Sequence, residues 1–147
     1  MPQFLGVANA PVSWGVLEYD VDGNPPDFRA VLDQMAEADY TGTELGDTGF
    51  LPTEPDELRA ELFDRDLELV ASFNGLNLSN LQPEVLGDIQ VLESARLLAE
   101  VGGQNAIVVI CDSPCVDSLR TDCAGRIQPE QAMNQELWEH AAKIANQ

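Results

Sequence analysis

Four short apolar runs, opening near Leu5, Gly42, Leu69 and Ala106, are each followed by a segment with helical periodicity, and no other feature limits the fold so tightly. Repeated strand-then-helix order is the pattern of a parallel sheet, because parallel neighbours need a crossover that a helix supplies. The runs start 37, 27 and 37 residues apart, enough for βα units but too uneven for a solenoid. The first strand is expected over Leu5 to Ala8, turning at Asn9-Ala10-Pro11, and the second over Gly42 to Leu45. The third spans Leu67 to Phe73 and should break at Asn74-Gly75, a turn dipeptide. Ala106 to Cys111 is a continuous apolar run of the kind found in sheets covered on both faces.

Helical periodicity fills the intervals. Pro25-Pro26-Asp27 is a good helix start, and Phe28, Val31, Leu32, Met35 and Ala36 form one apolar face ending near Ala38. Thr53, with Asp56 three residues on, reads as the capped start of a helix to about Arg65 that turns Leu58, Leu62 and Phe63 inward. A third helix from about Pro83 to Val101 should bury Val85, Ile89, Leu92 and Leu98 before Gly102-Gly103 stops it. Pro129 starts the last helix, with Met133, Leu137, His140, Ala141 and Ile144 as its stripe. Strand-to-helix connections, such as Glu18 to Asp27 and Asp112 to Gln128, are long, whereas helix-to-strand connections are short. In parallel barrels the long connections gather at the carboxyl ends of the strands and carry the site. Glu44, at the end of the second strand, therefore points out of that face.

The charge balance is unusual. Against 26 Asp and Glu stand 7 Lys and Arg, for a formal net charge of -19. Nucleic acid and anionic membrane surfaces are held by clustered Lys and Arg, so neither is an expected partner. The acids form no block of five, which reads as a solvated acidic face. No run of 18 apolar residues exists to span a membrane. Cys111, Cys115 and Cys123 match no zinc spacing, and an odd count without a secretory signal favours reduced thiols in a cytoplasm. Nucleotide-binding glycine motifs do not occur.

The residues Asn9-Ala10-Pro11-Val12-Ser13-Trp14-Gly15-Val16, then Met35 to Gly46, then Gly49-Phe50-Leu51-Pro52-Thr53, resemble the start of the sugar isomerase/epimerase proteins with a xylose isomerase-like TIM barrel. The inosose dehydratase branch is the closest in pattern. The resemblance implies a single domain over residues 1–147 made of four βα units, half of a (β/α)₈ barrel with a parallel sheet and outer helices. It also implies that a divalent metal, Mn or Mg, is held by residues on later strands. No metal ligand is therefore expected in this chain, and a metal enters only if the barrel is completed. Four unclosed strands leave backbone groups and an apolar face uncovered. A homodimer through the exposed sheet edges is the economical remedy; a fragment of a longer gene product is the alternative.

Five residues are candidates for a sugar or polyol site. Glu44 could accept hydrogen bonds from hydroxyls or act as a base, though a carboxylate there could also pair with an arginine. Trp14 could stack on a sugar face or pack in the core. Asn74 and Asn77 offer amides to hydroxyls, and Asp112 follows the fourth strand where it could contact a hydroxyl or a metal. His140, the only histidine, falls on a helix's inward stripe and reads as a core residue. Two functional classes remain. One is a metal-dependent carbohydrate isomerase, epimerase or dehydratase completed by a second half or partner chain. The other, favoured for the chain as written, is a catalytically incomplete half-barrel that binds a small ligand and assembles with itself.

Overall fold

The computed structural model describes residues 6–16, 26–78, 85–113 and 118–145, with the backbone alone at 85–88 and 145. Leu5, most of the loop after Glu18, Ser79, Asn80, Pro83, Cys115 and the Val85 side chain lie outside the described residues. The strands are β1 (Ala8–Asn9), β2 (Gly42–Glu44), β3 (Glu68–Leu76) and β4 (Ile107–Asp112). The helices are α1 (Phe28–Glu37), α2 (Pro55–Phe63), α3 (Val85–Val101), α4 (Ser118–Asp122) and α5 (Gln135–Ala145). The strands form one open, all-parallel sheet in the order β1-β2-β3-β4, so the alternating βα units make the arrangement of half a (β/α)₈ barrel. No helix among the described residues is long and apolar enough to cross a membrane. The chain divides into two compact units, Met1–Phe73 with Gln90–Val109, and Asn74–Ile89 with Ile110–Gln147. They are described in turn.

In the first unit one buried cluster joins Val31, Leu32 and Met35 of α1, Leu58 and Leu62 of α2, and Leu97 and Leu98 of α3 to Leu45 and Leu69 of the sheet region. Ala106 and Val108 pack against the same cluster. Successive side chains on a strand face opposite ways, so Ile107 and Val109 belong to the face away from these helices. Ile107 is 61% exposed and Val109 is also exposed. The expectation that β4 is covered on both faces is corrected at these two exposed positions.

Helix ends follow local rules. Asp27 caps α1, its carboxylate accepting from the Arg29 amide at 3.0 Å. At α2 the cap is Glu54 rather than Thr53, with no side-chain bond to the helix. Pro55 holds its predecessor in extended conformation (φ −81°, ψ 122°), which moves the boundary one residue on. Helices α1 and α2 end alike. Tyr40 N–H reaches Met35 O and Asp39 N–H reaches Ala36 O, while Leu67 reaches Leu62 and Asp66 reaches Phe63. Each is a Schellman closure in which the left-handed residue is an aspartate, Asp39 (φ 62°) or Asp66 (φ 55°). Arg65 then ties the two helices, meeting Asp33 at 2.6 Å and Glu61 at 2.9 Å, while Arg29 meets Glu61 at 2.6 Å.

Three helix expectations are corrected. Phe63 is 79% exposed instead of inward, since it occupies the last turn of α2 opposite Leu58 and Leu62. In α3 the buried face is Ser94, Leu97 and Leu98, whereas Ile89 and Leu92 are exposed. Positions 94, 97, 98 and 101 share one helical face, which the spacing of 85, 89 and 92 does not join at 98. Pro129–Gln131 is a separate 3₁₀ turn closed by reciprocal Gln128 and Gln131 bonds, and α5 begins at Gln135.

In the second unit β3 runs on through Asn74-Gly75 to Leu76. The glycine serves close approach instead of a turn: a Cβ at Gly75 would lie 3.1 Å from Ser113 Oγ. Ser113 N–H bonds Leu76 O at 2.6 Å, which brings the ends of β3 and β4 together. The expected loop after Asp112 contains α4, and Ala141 of α5 is buried on the stripe that holds His140 half-buried.

Candidate functional site

The carboxyl ends of β1 and β2 are held by short-range chemistry. Asn9 Oδ1 accepts from the Ala10 amide and from Ser13 Oγ, each at 2.8 Å, and Asn9 Nδ2 donates to Tyr40 Oη at 3.1 Å. These bonds fix the 3₁₀ turn Pro11–Trp14, in which Pro11 is buried. Gly46 sits against that proline. At φ 70° it occupies the left-handed region, and a Cβ there would meet Pro11 Cγ at 2.9 Å. The β1–α1 turn and the β2–α2 loop are thus locked in contact beside Glu44.

Glu44 lies on the sheet face opposite the buried cluster of the first unit. Leu45 belongs to the helix-side cluster, so its neighbour points the other way. Gly42 shares that opposite face, where a Cβ would meet Val70 Cγ1 at 2.9 Å and Ala8 Cβ at 3.3 Å. The register of β2 on β3 shifts between Thr43 and Glu44, from Thr43 opposite Leu69 to Glu44 opposite Ala71. Such irregularities re-aim a side chain and are frequent beside active sites. The Glu44 carboxylate is half-buried and accepts no hydrogen bond from the described residues.

Asp47, three residues on, is a further candidate that the sequence does not single out. Burial pushes its carboxyl above the ordinary aspartate value, and no described cation offsets this. The Phe50 amide bonds the Asp47 carbonyl at 2.9 Å, and Gly49 at φ 89° completes the turn. An acid between two left-handed glycines in a strand-to-helix loop was the available signal. Chemically, the Asp47 carboxyl holds its proton more readily than an ordinary aspartate, the direction a general acid needs.

Trp14 is half-buried; its Nε1 donates to Gln34 Oε1 at 2.7 Å, and its ring stands edge-on to Tyr40 at 6.3 Å. The structure therefore brings Glu44, Trp14 and Asp47 into the first unit. Asn74, Asn77 and Asp112 belong to the second. Asn74 is buried within β3 and Asn77 follows its end. Asp112 closes β4 and meets Arg120 of α4 at 2.6 Å. The bond from Ser113 to Leu76 places Asn77 and Asp112 at adjoining strand ends.

The described residues do not fit a divalent metal by themselves: among them no three of His, Cys, Asp and Glu form a group that could hold an ion. Cys123 is a free thiol, its sulfur 3.7 Å from Gln131 Nε2. Comparison with protein-family models, with curated proteins and with solved structures finds no match for this chain.

Proposed function

We propose that the chain is the N-terminal half of a sugar isomerase/epimerase-like TIM barrel, catalytically incomplete alone, which pairs with a second copy of itself and takes a small sugar or polyol at its strand ends. The observation that supports this most is the open sheet. Four parallel strands expose Ile107 and Val109 on the face where Glu44 also lies. A second copy is the occupant that strand count favours, since two sets of four give the eight strands at which barrel interiors fill with side chains. In this reading Glu44 accepts hydrogen bonds from ligand hydroxyls, and Asp47, with its raised proton affinity, shares a proton with the ligand.

The test has two arms. Light scattering at micromolar concentration should give twice the 16.0 kDa chain mass, and Ile107→Glu should return the monomer. Thermal shifts should then rise with keto-sugars or inositols in the parent dimer and vanish in Glu44→Gln, because a ligand stabilises the state it binds. A folded monomer refutes the pairing. A dimer indifferent to every sugar, with and without Mn²⁺ or Mg²⁺, refutes the ligand.

A further inference from the structure

A cavity lies in the first unit between the β2–α2 loop and the later half of α3. Its volume is about 380 Å³, within the range of small-molecule sites. Its floor is apolar, formed by Leu45, Leu51 and Leu97. Its wall on α3 carries Ser94 and Arg96, with Glu93 and Glu100 on either side.

Two of these side chains have no protein partner among the described residues. Ser94 is only 6% exposed, lines the cavity, and meets no hydrogen-bond partner among the described residues. Its oxygen is not among the sealed, unsatisfied atoms of the described residues, so it is open to the cavity, where it can bond a ligand atom. Arg96 is the second. In a chain of net charge -19, Arg29, Arg59, Arg65 and Arg120 each hold a carboxylate. Arg96 makes no ion pair among the described residues, although Glu93 and Glu100 stand three before and four after it on the same helix.

We propose that this cavity binds a small zwitterion, an α-amino acid with an aliphatic side chain. The charges decide the class. A simple carboxylic acid would satisfy Arg96 but face two glutamates, and an alkylammonium would satisfy the glutamates but leave the guanidinium idle. A polyol would use the hydroxyl and waste the apolar floor. The amino acid uses all of them: its carboxylate takes the planar fork of Arg96 and the Ser94 hydroxyl. Its ammonium faces Glu93 or Glu100, and its aliphatic chain covers Leu45, Leu51 and Leu97.

The experiment is a titration of the full chain by two-dimensional amide NMR with four probes: L-leucine, isoamylamine, 4-methylpentanoate and myo-inositol. L-Leucine should shift the amides of Leu45, Ser94 and Leu97 and bind at least about tenfold more tightly than either half-ligand, the ratio expected for one charge-assisted bond. Arg96→Gln, at an exposed position, should keep the parent spectrum elsewhere and remove that tenfold advantage over the amine. Equal binding of leucine and isoamylamine, a response to inositol without one to leucine, or silence toward all four at millimolar concentration would each overturn the assignment.

Discussion

Replacing Arg65 by methionine isolates the contact that joins the two helices flanking β2. Arg65 gives Nε to Asp33 at 2.6 Å and Nη1 to both the Glu61 carbonyl at 2.7 Å and the Glu61 carboxylate at 2.9 Å. The three bonds are not equal. Asp33 is 57% exposed and recovers its hydration when the arginine goes, so that bond contributes at most about 1 kcal/mol. Glu61 is only 16% exposed and keeps Arg29 at 2.6 Å, so it loses one charge-assisted bond instead of all its compensation. Such bonds contribute about 1.5–3 kcal/mol, and the methionine retains the apolar stem. The expected loss is about 2 kcal/mol, below the 3–5 kcal/mol for stripping a buried charge of its sole partner.

Urea unfolding reads this effect if it is followed by Trp14 fluorescence in a Trp138→Phe background, since Trp138 is exposed and belongs to the second unit. Acid titration supplies an independent check. Burial would raise the Glu61 carboxyl, but hydrogen bonds from Arg29 and Arg65 override it and hold the pKa below the ordinary glutamate value. The unfolded chain then binds the proton more readily, so this stabilisation is complete above the ordinary glutamate range and fades as pH falls through the lowered folded value. The gap between parent and Arg65→Met should therefore narrow in acid. A difference within about 0.5 kcal/mol at neutral pH, the scatter of ordinary surface changes, would refute the reasoning.

Gly46→Ala should destabilise the first unit by about 2 kcal/mol in the same assay, combining a left-handed alanine with the 2.9 Å approach to Pro11; a neutral result would mean the two loops are not locked together. Asp39→Gly and Asp66→Gly should each stabilise by about 1 kcal/mol, because both relieve positive φ and remove an acid from a helix carboxyl end. A loss of stability at both positions would show that the aspartate side chains make compensating bonds.

The element order was legible because it rests on local chemistry. The α1 stripe at Val31, Leu32 and Met35 is buried as its spacing requires, and β2 and β4 begin at or within one residue of the apolar runs. What escaped depends on residues distant in sequence. Asn74-Gly75 carries a turn signature, yet the approach of Ser113, thirty-eight residues on, makes the glycine useful inside a strand. Phe63 has the hydrophobicity of a core residue, but only the packed helix decides which side of the last turn faces the sheet. Glu44 stands out as a candidate in the sequence because a strand end advertises it. Asp47 does not, because its raised proton affinity comes from burial in the folded chain.

Charge sets the terms on which two such half-sheets could meet. Each copy carries -19, so pairing brings together surfaces that repel at long range. The exposed apolar groups of β4, Ile107 and Val109, must then supply the attraction, since burial of apolar surface is indifferent to the sign of distant charges. Salt separates the two contributions: the screening length is about 10 Å at 0.1 M and about 3 Å at 1 M. Dimerisation driven by the apolar face should therefore tighten as sodium chloride is raised over that range, with dissociation on dilution moving to lower protein concentration. An association built instead from ion pairs across the edges would weaken over the same range, and that outcome would remove Ile107 and Val109 from the centre of the interface.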